Sequence, residues 1–150
     1  AKSVRLFNNY GSRMMLTDGR MIPEFIQAAL QNLPVTIHGD KNETSSVCYV
    51  TDALEGIVRM MQSKEIGPMN IGNADEHHIA DVATLVIQLA SGRAEVRSEL
   101  PLPYSMKQAI PSIRLAREAL GWFPVVGLEE GLKRTIDYMR GGNQAYQYTE

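Results

Sequence analysis

The side chains able to do chemistry in this chain fall into four short stretches. Asn8-Asn9-Tyr10-Gly11 brings two carboxamides and a phenol to one turn, and each carboxamide supplies two donors without a charge. Asparagines in a turn commonly satisfy local backbone. Asp75-Glu76-His77-His78 invites a metal reading, but adjacent residues diverge in direction and no third ligand stands at helical spacing, so no metal site is assigned. Tyr104-Ser105-Met106-Lys107 sets a phenol near an ammonium. Four-residue spacing is what stacks two side chains on one helical face; this pair is one residue short and sits in a proline-rich loop. Cys48 is the sole cysteine, which excludes an intramolecular disulfide and fits a reducing, cytoplasmic setting. No residue is assigned a catalytic role.

The elements that must position these groups alternate between strand and helix. Residues 3–8 read as a strand, followed by turn chemistry at residues 8–12. From Ile22 the positions Ile22, Phe25, Ile26, Ala29 and Leu30 recur at helical spacing, with Pro23 harmless in the first turn and Asn32 closing the helix. Val35-Thr36-Ile37-His38-Gly39 is a compact strand, residues 40–46 a polar loop, and Val47-Cys48-Tyr49-Val50 apolar again. Thr51 or Asp52 is expected to cap a helix whose Leu54, Ile57, Val58 and Met61 face the core. A strand at residues 69–72 precedes a helix with Ile79, Val82, Leu85, Val86 and Leu89 inward, stopping at Gly92, and a strand at residues 94–98 follows. Residues 100–111 hold three of the seven prolines and form a loop; Ser112 is expected to cap a helix that ends at Gly121. Leu128, Leu132, Ile136 and Met139 define a last helix, ended by Gly141-Gly142 before a tail, residues 141–150, expected to be flexible.

These 150 residues, 44% of them hydrophobic, suffice for one sizeable core. The net charge is only −2 and the basic residues are scattered, which argues against a nucleic-acid partner. The apolar runs are too short for a spanning helix, so no membrane partner is expected. The eight methionines read as core filler. Short strands alternating with helices give an α/β class, a partial sheet accompanied by a small α+β part.

Several stretches, in one order, resemble the extended short-chain dehydrogenase/reductase family of sugar-nucleotide enzymes, and most of all its UDP-glucuronate decarboxylases and dTDP-glucose 4,6-dehydratases. They are Val4-Arg5-Leu6-Phe7-Asn8-Asn9-Tyr10-Gly11, Asp18-Gly19-Arg20-Met21-Ile22, Tyr49-Val50-Thr51-Asp52, Asn70-Ile71-Gly72-Asn73, and Leu120-Gly121-Trp122-Phe123-Pro124 followed by Leu128-Glu129-Glu130-Gly131-Leu132. The resemblance implies that residues 1–150 are the C-terminal, nucleotide-sugar-binding region. The last strands of a Rossmann-type sheet would be joined to a small α+β domain, with NAD held by an N-terminal half that also carries the catalytic Tyr-x-x-x-Lys pair. No Gly-rich strand–turn–helix able to cradle a pyrophosphate is present in these residues, so the chain alone is expected to be inactive.

The same resemblance implies roles residue by residue. Asn8, Arg20, Met21, Thr36, His38 and Asp75 would contact the nucleotide diphosphate sugar, and Asn9, Tyr10, Gly11 and Arg20 the cofactor. Arg20 brings a bidentate fork, and His38 a planar ring that stacks or hydrogen-bonds. Two departures stand against this: Ser45 and Ala109 occupy positions where relatives carry arginines expected to clamp the diphosphate. Losing two charge-assisted contacts, each worth about 1.5–3 kcal/mol, weakens binding by orders of magnitude unless Lys41, Lys107 or Arg114 compensates. Ser112, in place of a usual aspartate, is expected to be harmless. The expected assembly is a homodimer. The rival reading is a degenerate or truncated relative kept as a binding or oligomerisation module.

Overall fold

A computed structural model describes residues 1–15, 19–101 and 109–141. In chain order the elements are β1 (Ser3–Leu6), β2 (Asn9–Tyr10), α1 (Met21–Leu30), β3 (Val35–His38), β4 (Thr44–Ser45), β5 (Cys48–Tyr49), α2 (Val50–Gln62), β6 (Pro68–Ile71), β7 (His77–His78), α3 (Ile79–Leu89), β8 (Val96–Glu99), α4 (Arg114–Leu120) and α5 (Leu128–Arg140). The expected strands and helices appear in order, with four further two-residue strands that were not foreseen: β2 in the turn expected at residues 8–12, β4 in the loop expected at residues 40–46, β5 in the apolar stretch at residues 47–50, and β7 at His77–His78. The tail beyond residue 141, Asp18, and the Tyr104–Lys107 stretch lie outside the described residues.

The chain divides into two compact units. The first comprises Ala1–Tyr10, Thr44–His77 and Met106–Leu128. Here β1 runs parallel to β6 in the register Ser3↔Pro68 to Leu6↔Ile71; Pro68 opens its strand, where a missing N–H does least harm. A second parallel pair joins β2 to β5, Asn9 opposite Cys48 and Tyr10 opposite Tyr49. α2 runs in the chain between β5 and β6, which belong to different pairs. Cys48, Ala53, Met60, Met69, Ile71, Ile113, Ala116 and Trp122 form one buried cluster. A fully buried Met60 or Ile71 contributes about 1.5–3 kcal/mol relative to exposure. At the far end of α2, the Lys2 ammonium donates to the carbonyls of Met60 (2.9 Å), Met61 (2.8 Å) and Ser63, a cation placed where the helix dipole favours one.

The face of α2 that meets this core differs from the one its large apolar residues suggest. Ala53, Gly56 and Met60 are buried, whereas Leu54, Val58 and Met61 are 54%, 44% and 69% exposed. Close approach decides it: a Cβ on Gly56 would stand 2.8 Å from Ile71 Cδ1 and 3.1 Å from Trp122 Cε2, so only the small-residue face fits against β6 and the indole. Helical periodicity was satisfied by both stripes, and side-chain volume selected between them.

The second unit comprises Gly11–Glu43, His78–Ser105 and Glu129–Glu150. Its parallel pair is β3 with β8, Val35 opposite Val96 and His38 opposite Glu99. α1 buries Ile22, Pro23, Phe25, Ile26 and Ala29, and α3 buries Val82, Ala83 and Val86, while Leu30, Ile79, Leu85 and Leu89, also expected inward, are half-buried. Both helices end in left-handed residues other than glycine, Asn32 (φ 53°) and Ser91 (φ 52°), with Leu33 N bonded to Ala28 O and Gly92 N to Ile87 O. α5 buries Gly131, Leu132, Thr135 and Ile136.

Gly72, directly after β6, tests the packing of the first unit. An added Cβ would lie 2.8 Å from Phe7 Cβ and 2.9 Å from Pro111 Cγ, neither of which is the free end of a flexible side chain. Gly72→Ala is expected to cost about 1–3 kcal/mol through overpacking, read as a lower urea midpoint at unchanged slope.

Candidate functional site

The residues singled out in the sequence are distributed over both units, and each set has its own geometry. In the first unit, Asn8 takes a left-handed backbone (φ 45°), a conformation asparagine tolerates better than most residues. This kink separates β1 from β2 and turns the carboxamide toward the segment before β5. Asn8 Nδ2 donates to Ser45 Oγ at 3.1 Å and to the Ser46 carbonyl at 2.7 Å, and Cys48 N donates to Asn8 O at 3.1 Å. The amide donors of Asn8 are thus engaged inside the chain, and Ser45, where relatives were expected to carry arginine, is a buried serine accepting one of them. A ligand reaching Asn8 must exchange these bonds for its own.

Tyr10 is buried, its ring in edge contact with Tyr49 at 5.6 Å between centroids, and its hydroxyl donates to Leu128 O at 3.2 Å. Burial, and after it the neighbouring Tyr49, Cys48 and Asp52, pushes the phenol well above its ordinary range, so it stays a neutral donor. The Cys48 thiol is pushed up to about 12, first by burial and then by Asp52. Asp75 is exposed on a turn in which its own N–H bonds Asn73 Oδ1 at 3.0 Å. Beside it, Thr44 Oγ1 donates to Glu76 Oε2 at 2.6 Å.

Asp52 corrects an expectation. α2 begins one residue before Thr51, with Tyr49 at the cap position and no side-chain cap bond. The buried carboxylate of Asp52 instead accepts from Val125 N (3.0 Å) and Val126 N (2.9 Å), while Trp122 Nε1 donates to Asp52 O (2.9 Å). The Tyr49–Asp52 and Trp122–Pro124 motifs therefore meet: the acid at the start of α2 holds the strap that runs from Trp122 toward Leu128. Sequence offered no local signal for this, because the partners stand 73 and 74 positions apart. Ser112 is likewise not a cap. α4 starts at Arg114 after Ile113 without a side-chain cap bond, and the Ser112 carbonyl accepts from Asn70 Nδ2 at 3.2 Å.

In the second unit, Thr36 and His38 are alternate residues of β3 and share its half-buried face, while Val35 and Ile37 fill the core on the other. Gly11 has φ 149°, which favours glycine. Arg20 precedes the first residue of α1, Met21, and is exposed. Of the proposed substitutes for the expected arginines, Lys41 is exposed, Arg114 pairs with Glu118 on its own helix at 3.4 Å, and Lys107 lies outside the described residues. Ala109 is exposed. Among the described residues, no group of three His, Cys, Asp or Glu side chains is placed to hold a metal ion. His78 Nδ1 instead lies 3.1 Å from Asn42 O.

Residues 1–72 match the profile of the NAD dependent epimerase/dehydratase family. UDP-glucuronic acid decarboxylase 1 of Danio rerio is 40% identical over 134 residues, 89% of this chain and 32% of that one. UDP-glucuronic acid decarboxylase 6 of Arabidopsis thaliana is 40% identical over 128 residues, 85% of this chain and 37% of that one. The chain belongs to the NAD-dependent epimerase/dehydratase family. It spans about a third of the length of these curated relatives. The family's fold agrees: the UDP-glucose 4-epimerase of Thermotoga maritima, solved with UDP-glucose, superposes with a TM-score of 0.87 at 27% identity, covering 94% of this chain and 46% of that one. The UDP-glucuronic acid 4-epimerase of Bacillus cereus, solved with UDP-glucuronic acid and NAD, gives 0.83 at 28%, covering 95% and 45%. The α/β class and the sugar-nucleotide resemblance stand. No helix among the described residues is long and apolar enough to cross a membrane.

Two outcomes check this chemistry. Asp52→Ala strips the strap of its acceptor and is expected to cost about 2 kcal/mol and to speed amide exchange at Val125 and Val126, while Asp52→Asn, which keeps an acceptor, costs less. For Cys48, a folded pKa above the ordinary 9.0 means that the folded state holds its proton where the unfolded state loses it. That stabilisation is fully present below pH 9 and is lost as pH rises from about 9 toward about 12. A thiol-reactive disulfide reagent at pH 8 is expected to leave the folded chain unlabelled and to label it fully in denaturant.

Proposed function

We propose that this chain is the substrate-binding part of an NAD-dependent enzyme that modifies a nucleotide sugar, of the UDP-glucuronate decarboxylase type. The observation that carries this reading is the 40% identity to UDP-glucuronic acid decarboxylases across 89% of the chain. On this reading Thr36 and His38, alternate residues on the half-buried face of β3, contact the base and ribose, together with Met21 at the start of α1. Arg20 contributes its guanidinium to a phosphate or carboxylate, Asp75 is available to a ribose hydroxyl, and Asn8 reaches the sugar or diphosphate by exchanging its bonds to Ser45 and Ser46. Asn9, Tyr10 and Gly11 approach the cofactor end, and the working assembly is a homodimer.

NAD itself finds no pyrophosphate cradle in the described residues. A helix N-terminus favours an anion only where it is not already served by one. Here α1, α2, α3 and α5 carry an acid in the first turn (Glu24, Asp52, Asp81, and Glu129 with Glu130), and α4, which carries none, is a seven-residue helix that follows no Gly-rich turn. The cofactor is therefore assigned to a separate nucleotide-binding half, and no step of the reaction is assigned to side chains of this chain.

The engagement of Asn8 with the buried Ser45 favours a second reading, a module that keeps the fold without the diphosphate grip. Calorimetric titration separates the two. UDP-glucuronate and UDP are expected to bind saturably, with Arg20→Ala and His38→Ala each weakening binding about tenfold, equivalent to about 1.4 kcal/mol. Absence of measurable binding by UDP, dTDP and their sugars would leave the second reading alone.

A further inference from the structure

Ligands of parallel α/β layers bind outside the carboxyl ends of the strands. In the second unit those ends belong to β3 and β8, which run parallel from Val35↔Val96 to His38↔Glu99. Residues opposite one another in such a pair project to the same side, so Glu99 stands beside His38 on the face that also carries Thr36, while Val35 and Ile37 are buried on the other. The backbone there is tied down: Gly39 N donates to Glu99 O at 3.0 Å, and Ser98 Oγ donates to Gly39 O at 3.0 Å. Gly39 turns the chain away at φ 115°, and a Cβ added to it would meet nothing within 4 Å, which leaves this end uncrowded. α1 returns to β3 through residues 31–34 and packs against it, so the two run antiparallel. The helix rises about 15 Å and the strand about 13 Å, which brings Arg20 and Met21 to the level of His38 and Glu99.

Of these four side chains only Glu99 has no part in the proposed function. Its neighbour on the strand, Arg97, is paired with Glu95 at 3.9 Å, whereas the exposed Glu99 carboxylate has neither an ion-pair nor a hydrogen-bond partner among the described residues. An ionised carboxylate only accepts, so its ligand is a hydroxyl rather than a phosphate. Next to a histidine that contacts the base, the hydroxyls in reach are those of the ribose, the groups an acid reads in other α/β nucleotide sites. We infer that Glu99 accepts the ribose 2′-hydroxyl of the bound nucleotide and thereby selects ribonucleotides over their 2′-deoxy counterparts, UDP sugars over dTDP sugars. The inference rests on the proposed function in setting the base beside His38, and goes beyond it in the residue named and the distinction drawn. The ribose has a second hydroxyl, and Asp75 remains available to that one.

Calorimetric titration of the intact 150-residue chain with UDP and with 2′-deoxy-UDP tests this. The parent is expected to bind UDP about tenfold more tightly, the worth of one charge-assisted hydrogen bond. Glu99→Ala is expected to bring the ratio of the two dissociation constants to about one, and Asp75→Ala to leave it about tenfold. The two ligands carry the same diphosphate, so the ratio is blind to the lost charge and to a merely structural role of the side chain. Because Glu99 is exposed, its variant is expected to unfold within about 2 °C of the parent. Three results overturn the inference while the proposed function stands: UDP bound without preference over 2′-deoxy-UDP, a preference that survives Glu99→Ala, or a preference erased by Asp75→Ala instead. Failure of the parent to bind either nucleotide overturns both.

Discussion

A carboxylate withdrawn from water must be met by donors, and the buried acid of Asp52 is met by two consecutive backbone amides from a strap more than seventy residues away. Much of the first unit is arranged around that requirement. Trp122 leads into the strap, is 1% exposed, and donates back to the Asp52 carbonyl. Gly56 keeps α2 close enough for the indole and Ile71 to lie against it. At the other end of the strap, Leu128 O receives the Tyr10 hydroxyl. A side chain placed as an ordinary helix-start residue instead ties the Tyr49–Asp52 motif to the strap after Trp122 in one packed joint.

The same acid bears on function through electrostatics. The positive end of a helix dipole is a ready anion site only when nothing in the chain has claimed it. Acids stand in the first turn of α1, α2, α3 and α5 but not of α4, so the proposed recognition of a nucleotide sugar is assigned to side chains. In that reading Thr36 and His38 on the half-buried face of β3 and the exposed Arg20 are the groups given the role.

Legibility from sequence followed the range of each interaction. Periodicity located α1, α3 and α5 and their buried faces, because Phe25, Ile26, Val86 and Leu132 lie on stripes that local spacing defines. Alternation located β3 and set Val35 and Ile37 against Thr36 and His38. It misjudged α2, where two stripes competed and the volume of Trp122 and Ile71, remote in sequence, chose the one with Ala53 and Gly56. Capping at Asp52 and Ser112 was misread for a related reason: the polar atoms there answer to Val125, Val126 and Asn70, partners that no local pattern reveals. Asn8 was legible as a special position, but its bonds to Ser45 and Ser46 were not.

The central claim is that β3 and the start of α1 present the nucleotide-sugar grip. Two-dimensional ¹⁵N–¹H spectra of the labelled chain, recorded as UDP-glucuronate is added, address it residue by residue. The account expects progressive shifts centred on Arg20, Met21, Thr36 and His38. Shifts confined to the helix starts at Asp52, Asp81 and Glu129, or a spectrum unmoved by the ligand, would contradict it.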